Sequence, residues 1–163
     1  MECKEILVEW LKNAYSLELS IAETLEKHAQ AAEDLPEIQN DLAEHISLTN
    51  DQAERVRNEI ERLGGDVSSI KTTFSKILGD MSGVASELPR DRLVKNAITE
   101  LGTEHLEMAT YMAIANIAEI CGEEESAEMA RKIAEEEKTT GEMLAKKMNM
   151  IISHYLKMEA EEE

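Results

Sequence analysis

The chain has 163 residues, of which 42% are apolar, 32% charged and 3% aromatic, with a formal net charge of -18 at pH 7. That length suits one domain, residues 1–163, with a sizeable core. The charge excludes the basic faces that nucleic acid and anionic membranes require, and no apolar run approaches the ~20 residues that span a bilayer. Acidic runs at 123–125, at 135–137 and in a tail over about 157–163 read as solvated surface. The opening MECKEILVEW has neither a basic n-region nor a long apolar segment, so a cytoplasmic protein is expected. A core of Leu, Ile, Ala and nine Met, with few rings, suits packed helices better than a sheet sandwich.

Apolar periodicity predicts a first helix from about Glu2 to Glu33, with Leu7, Leu11, Ala14, Glu18, Ile21, Leu25 and His28 on one face. The Asp34-Leu35-Pro36 step ends it and sets Pro36 in the first turn of a second helix. That helix runs to Leu63, with Ile38, Leu42, His45, Ile46, Thr49, Ala53, Val56 and Ile60 inward, and Gly64-Gly65 stops it. A connection follows over about 66–88, containing a short amphipathic segment at about 70–78. Pro89 opens a third helix, inward at Val94, Ala97, Leu101, Glu104, Met108, Tyr111, Ala115 and Ala118, which Gly122 ends. The fourth runs from about Ser126 to beyond Tyr155, with Ala130, Ile133, Glu137, Thr140, Leu144 and Ile151 inward.

Short turns join antiparallel neighbours, whereas one long central connection can return along a bundle. These lengths predict an all-α, ferritin-like four-helix bundle with one long crossover and a short extra helix. No phosphate-binding glycine loop, CxxC pair or G-x-S-x-G elbow occurs.

Three of the apolar faces are interrupted by carboxylates at Glu18, Glu104 and Glu137. A buried carboxylate without a partner is costly, so a core-facing Glu usually means an ion or a basic partner. Bundles that hold two divalent ions take one Glu from each of two helices and Glu-x-x-His from each of the other two. Glu18 and Glu104 fit the single positions, and Glu137 begins the helix-four pair, but Thr140 stands where His is needed. At the depth judged to correspond on helix two stand Ser47 and Asn50. His45 lies about a turn from that depth and becomes a nitrogen ligand only if it reaches the site. His28 and His154 read as packing or surface residues, and Tyr111 is placed to bond a carboxylate or simply to fill the core.

The segments Glu104-His105-Leu106-Glu107-Met108-Ala109-Thr110-Tyr111, Ile117-Ala118-Glu119 and Glu135-Glu136-Glu137-Lys138-Thr139-Thr140 resemble the ferritin-like stress-protein family typified by YciE and YciF. Tyr15-Ser16-Leu17-Glu18 and Gln52-Ala53-Glu54-Arg55 also match its pattern, so the resemblance covers nearly the whole chain. It implies a stress-associated, homodimerising bundle with a di-metal site and no established reaction. Glu18, Glu104, Glu107 and Glu137 match its acidic positions. The sequence departs from it at Ser47 and Asn50, where the family shows Glu-x-x-His, and at Gly141, where it commonly has Asp.

The expected function is binding of iron or manganese by Glu18, Glu104 and Glu137, assisted by Glu107 or His105. If the ion is redox-active, oxygen or peroxide is the expected oxidant. The alternative is a metal-free bundle serving as a structural or interaction module; an iron-storage cage is disfavoured, because the sequence advertises no outer-surface contacts for cage assembly and no fifth short helix is evident. His105, adjacent to Glu104, cannot point the same way as that residue and also reads as a hydrogen-bonded flank residue.

Cys3 and Cys121 are either free thiols, the usual cytosolic state, or a pair. In the crossover topology helices one and three are antiparallel. Cys3 precedes Glu18 by 15 residues and Cys121 follows Glu104 by 17. Both therefore stand about 22–26 Å from the glutamate layer, toward the same end of the bundle. A disulfide there requires Cα atoms no more than ~7 Å apart.

Overall fold

A computed structural model describes residues 2–68, 70 and 91–161. Four helices account for nearly all of them: α1 (Cys3–Ala31), α2 (Pro36–Arg62), α3 (Arg92–Cys121) and α4 (Glu124–Ala160). None is long and apolar enough to cross a membrane. Pro89, most of the crossover and, beyond Ile70, the expected short helix lie outside the described residues.

Local chemistry sets the helix ends. The Glu5 carboxylate accepts the orphan amide of Glu2 at 2.9 Å, and Pro36, which has no amide to satisfy, opens α2. Gly64 and Gly122 take left-handed φ angles of 83° and 74°. The reversal behind each lets Gly65 and Glu123 return their amides to Ile60 and Ala118 at 2.8 and 2.9 Å. Helix α4 begins two residues before the expected Ser126, with Glu124 and Glu125 complementing the helix dipole in its first turn.

Three contacts fix the topology. Cys3, at the start of α1, is disulfide-bonded to Cys121, at the end of α3, with a Cα–Cα distance of 5.5 Å. At the opposite end, His28 of α1 meets Glu100 of α3. Helices α1 and α3 are therefore antiparallel. Arg62, closing α2, donates to Glu123 at 3.0 Å, which puts the end of α2 at the disulfide end. Since α3 begins at the other end, the chain between them crosses the length of the bundle, as the loop lengths predicted. Cys3 and Cys121 form the pair that the antiparallel arrangement allows.

The core has two apolar clusters with a polar layer between them. Toward the disulfide, Leu7, Leu11, Val56, Ile60, Ile114 and Ile133 are buried among Ala115, Ala118, Ala127 and Ala130. The small alanines let α3 and α4 approach closely. Toward the other end, Leu17, Ile21, Leu25, Ile38, Leu42 and Ile151 form the second cluster. Each fully buried Leu or Ile stabilises by ~1.5–3 kcal/mol, enough in sum to carry an expensive middle.

Candidate metal centre

The middle layer draws on all four helices. Residues spaced 3, 4 or 7 apart share a helix face, and the buried polar residues follow that rule. Helix α1 supplies Glu18; α2 supplies His45, Thr49 and Gln52; α3 supplies Glu104, Glu107 and Tyr111; α4 supplies Glu137 and Thr140. Glu18, Glu104, Glu107 and Glu137 are each 99% or more removed from solvent. Two trios could each hold an ion: His45, Glu104 and Glu137, and Glu18, Glu107 and Glu137. In each trio the ligand atoms lie within 4.8 Å of one another, and Glu137 belongs to both.

Few of these groups are satisfied by protein. The Tyr111 hydroxyl donates to Glu18 Oε1, and Gln52 Nε2 donates to Glu137 Oε1 and, at 3.2 Å, to Glu136 Oε2. Behind Gln52, Arg55 clasps Glu136 and lies 2.9 Å from Asp51. Glu18 Oε2, both oxygens of Glu104, Glu107 Oε1 and both ring nitrogens of His45 have no hydrogen-bond partner. His45 Nε2 is 3.1 Å from Glu104 Oε1, a close electrostatic approach that lacks hydrogen-bond alignment. Orphaned buried carboxylates cost several kcal/mol each when ionised.

The carboxyls respond by holding protons. Burial pushes Glu18 up to about 7, Glu104 adding to the rise while the bonds from Tyr111 and Glu107 restrain it. Burial, followed by the charges of Glu104 and Glu18, takes Glu137 up to about 10. Glu107 is raised well above the usual range by burial and then by Glu18, Glu137 and Glu104. Burial works against charging His45, yet Glu104 raises its pKa above the ordinary value. Tyr111 is held as a phenol by burial and by Glu18. A divalent cation would reverse this pattern, displacing protons and filling the vacant lone pairs.

Glu18, Glu104, Glu107 and Glu137 thus come together as expected, and Tyr111 does bond a carboxylate. His105 does not join them. It is exposed, and its Nδ1 lies 2.8 Å from the Leu101 carbonyl of its own helix. The ligand depth assigned on helix two also needs correction. Ser47 and Asn50 are exposed, because Ser47 stands about 200° around the helix from His45 at ~100° per residue. The inward positions are His45, Thr49 and Gln52, so His45 reaches the cluster directly. Thr140 faces inward, but its hydroxyl donates to the Glu136 carbonyl at 3.1 Å. Gly141 packs against α3, where a Cβ would sit 3.4 Å from Glu104 Cβ, an ordinary van der Waals contact.

Sequence reasoning also missed two buried carboxylates outside this layer. Glu100 meets His28, and Glu59 accepts from Arg62 at 2.8 Å and from Ser126. The only available signal was their place on inward stripes, which an acidic sequence makes easy to discount.

A four-helix bundle with one crossover and a carboxylate–histidine cluster in its middle layer is a ferritin-like protein. Residues 2–157 match the family described as Domain of unknown function (DUF892), and the chain belongs to that family. It is 25% identical over 146 residues to Protein YciF of Escherichia coli (strain K12), covering 84% of each. Among solved structures, a protein from Xanthomonas campestris is similar with a TM-score of 0.82 and 26% identity, over 97% of this chain and 98% of that one. The crystal structure of the E. coli stress protein YciF matches in fold with a TM-score of 0.79 and 22% identity, over 94% and 98% of the two chains.

Proposed function

We propose that this is a YciF-type stress protein that binds iron or manganese in its middle layer. The observation that carries the reading is the set of orphaned donor atoms on Glu18, Glu104, Glu107 and His45, turned toward one another beside Glu137. Oxygen-rich sets with one imidazole suit manganese and ferrous iron better than thiophilic ions. Glu104, Glu137 and His45 would hold one ion. Glu18, Glu107 and the shared Glu137 would hold a second, more weakly, because Gln52 and Thr140 supply no strong ligand. Iron in this position would bring reaction with oxygen or peroxide. The chain's own contribution would be to exclude water, to hold protons on Glu18 and Glu137 until the ion arrives, and to orient Glu18 through Tyr111.

A metal-free structural bundle is the second reading, favoured by the bond that Gln52 already gives Glu137. Metal analysis of protein purified without chelators, then loaded anaerobically with ferrous iron or manganese, decides between them. At least one ion per chain, lost in Glu107→Gln and Glu137→Gln, supports binding; a stoichiometry far below one after loading refutes it. In either reading a homodimer is proposed, with exposed Ile6, Trp10, Met112 and Ile120 as apolar surface available to a second copy.

A further inference from the structure

At the end of the bundle away from the disulfide, the helices leave a cavity of about 460 Å³. This volume is within the ~300–1,000 Å³ range of small-molecule sites. Its walls are mostly aliphatic: Leu42, Leu48, Ala97, Met143, Leu144 and Ile151. His45 and Thr140 also line it, so the cavity reaches the carboxylate layer. Charged residues occur along it; those reaching inward are matched, while Glu44 and Lys146 are exposed at the rim. Glu100 is paired with His28, and Lys147 lies 3.0 Å from Asp41 and also bonds Glu37. The buried polar wall group lacking a hydrogen-bond partner is His45, 93% buried, whose Nδ1 makes no hydrogen bond and whose Nε2 is turned toward Glu104.

We propose that this cavity binds a small, uncharged, mainly apolar molecule bearing one hydroxyl or carbonyl group, which pairs with Nδ1 of His45. The aliphatic walls remove water from the body of the ligand, at ~25 cal/mol per Å² buried. A charged head beside His45 would lose its hydration away from the exposed rim charges of Glu44 and Lys146, and an anion there would also meet Glu100 and Glu104. An Nδ1–H donates equally to the oxygen of a carbonyl or of a hydroxyl, so either head group is served. The ligand uses a nitrogen that an ion at Nε2 leaves free. This site therefore does not depend on metal being bound.

The test uses the metal-free chain, so that its outcome is separate from that of metal loading. Protein labelled with ¹³C at Ile and Leu methyls is dialysed against EDTA and titrated with 1-decanol, decanoate and decyltrimethylammonium. The expected result is saturable shifts from decanol at Leu42, Leu48, Leu144 and Ile151, with affinity at least tenfold above either charged probe. Ala97→Phe, which fills the cavity, is expected to lower decanol affinity at least tenfold. His45→Phe is expected to lower it about fivefold, the worth of one hydrogen bond. Leu48→Trp, on a half-buried wall position, replaces Ala97→Phe if that variant does not fold. No saturable shift up to the solubility limit overturns the proposal. So does equal binding of decanoate, or unchanged binding in a folded cavity-filling variant.

Discussion

Replacing Glu18 with Gln is expected to stabilise the metal-free protein, and to do so more at high pH than at low. Glu18 is fully buried, and its ionisation is moved from 4.5 to about 7. At 1.36 kcal/mol per pH unit, that displacement costs the folded state about 3 kcal/mol once the pH exceeds both values. The sign follows from proton uptake. Between 4.5 and 7 the folded chain holds a proton that the unfolded chain has released, so stability is greatest below that window and is lost as pH rises through it. Gln has no charge to bury, and its amide oxygen still accepts from Tyr111. Glu18→Gln is therefore expected to gain about 3 kcal/mol at pH 8 and about 1 kcal/mol at pH 5. At ~2–4 °C per kcal/mol for a chain of this size, the melting temperature rises by about 6–12 °C at pH 8. Urea denaturation and thermal melts, both followed by circular dichroism in EDTA at pH 5, 6, 7 and 8, measure the two quantities. A gain independent of pH, or a loss at pH 8, would refute the account of this layer as an ionisation cost awaiting a cation.

The disulfide closes a loop of 118 residues, so Cys3→Ser should lower stability by about 5 kcal/mol in the chain-entropy model, read from the urea midpoint with and without reductant. Ile114→Ala, at a fully buried position in the cluster near the disulfide, should cost about 2–5 kcal/mol by the same assay; a cost under 1 would mean that the site collapses or is not core. Ser47→Glu with Asn50→His should leave manganese affinity unchanged, because both side chains face outward. Gln52→Glu, beside Glu137, should raise manganese affinity while lowering the stability of the metal-free chain, by calorimetry and thermal melts respectively.

Periodicity made the helices legible. Leu7, Leu11 and Ala14, or Ala130 and Ile133, repeat at helical spacing, and Pro36, Gly64 and Gly122 mark ends by rules that depend on one residue at a time. The crossover was legible from loop length, and counting residues from it put both cysteines at one end, which left a pair open as one of two readings. The carboxylates of α1, α3 and α4 stood out because each interrupts an apolar stripe. On α2 that contrast fails. Periodicity did place His45 and Thr49 inward, but the ligand depth was set by counting from the other helices, which landed on the outward Ser47 and Asn50 and left His45 a turn away. His105 was drawn in by its neighbour Glu104, though successive residues diverge by ~100° around a helix. Glu100 and Glu59 were hidden for a different reason: their partners, His28 and Ser126, lie 72 and 67 residues away, a distance no local pattern spans.

The two ends of the bundle are held by different means. At one, a covalent bond ties α1 to α3 while Arg62 gathers Glu59, Glu123 and Ser126 from α2 and α4. At the other, the cavity takes the place of packed side chains between α2 and α4. There the ties are the ion pairs of Lys147 with Glu37 and Asp41 and of His28 with Glu100 rather than a covalent bond, so motion is expected to grow toward the cavity. Amide exchange should run fastest around Ile38–Asp41 and Lys146–Ile151 and slowest beside Cys3 and Cys121. Whatever enters the cavity or the carboxylate layer would then act as a second clasp, slowing the loose end without touching the fixed one.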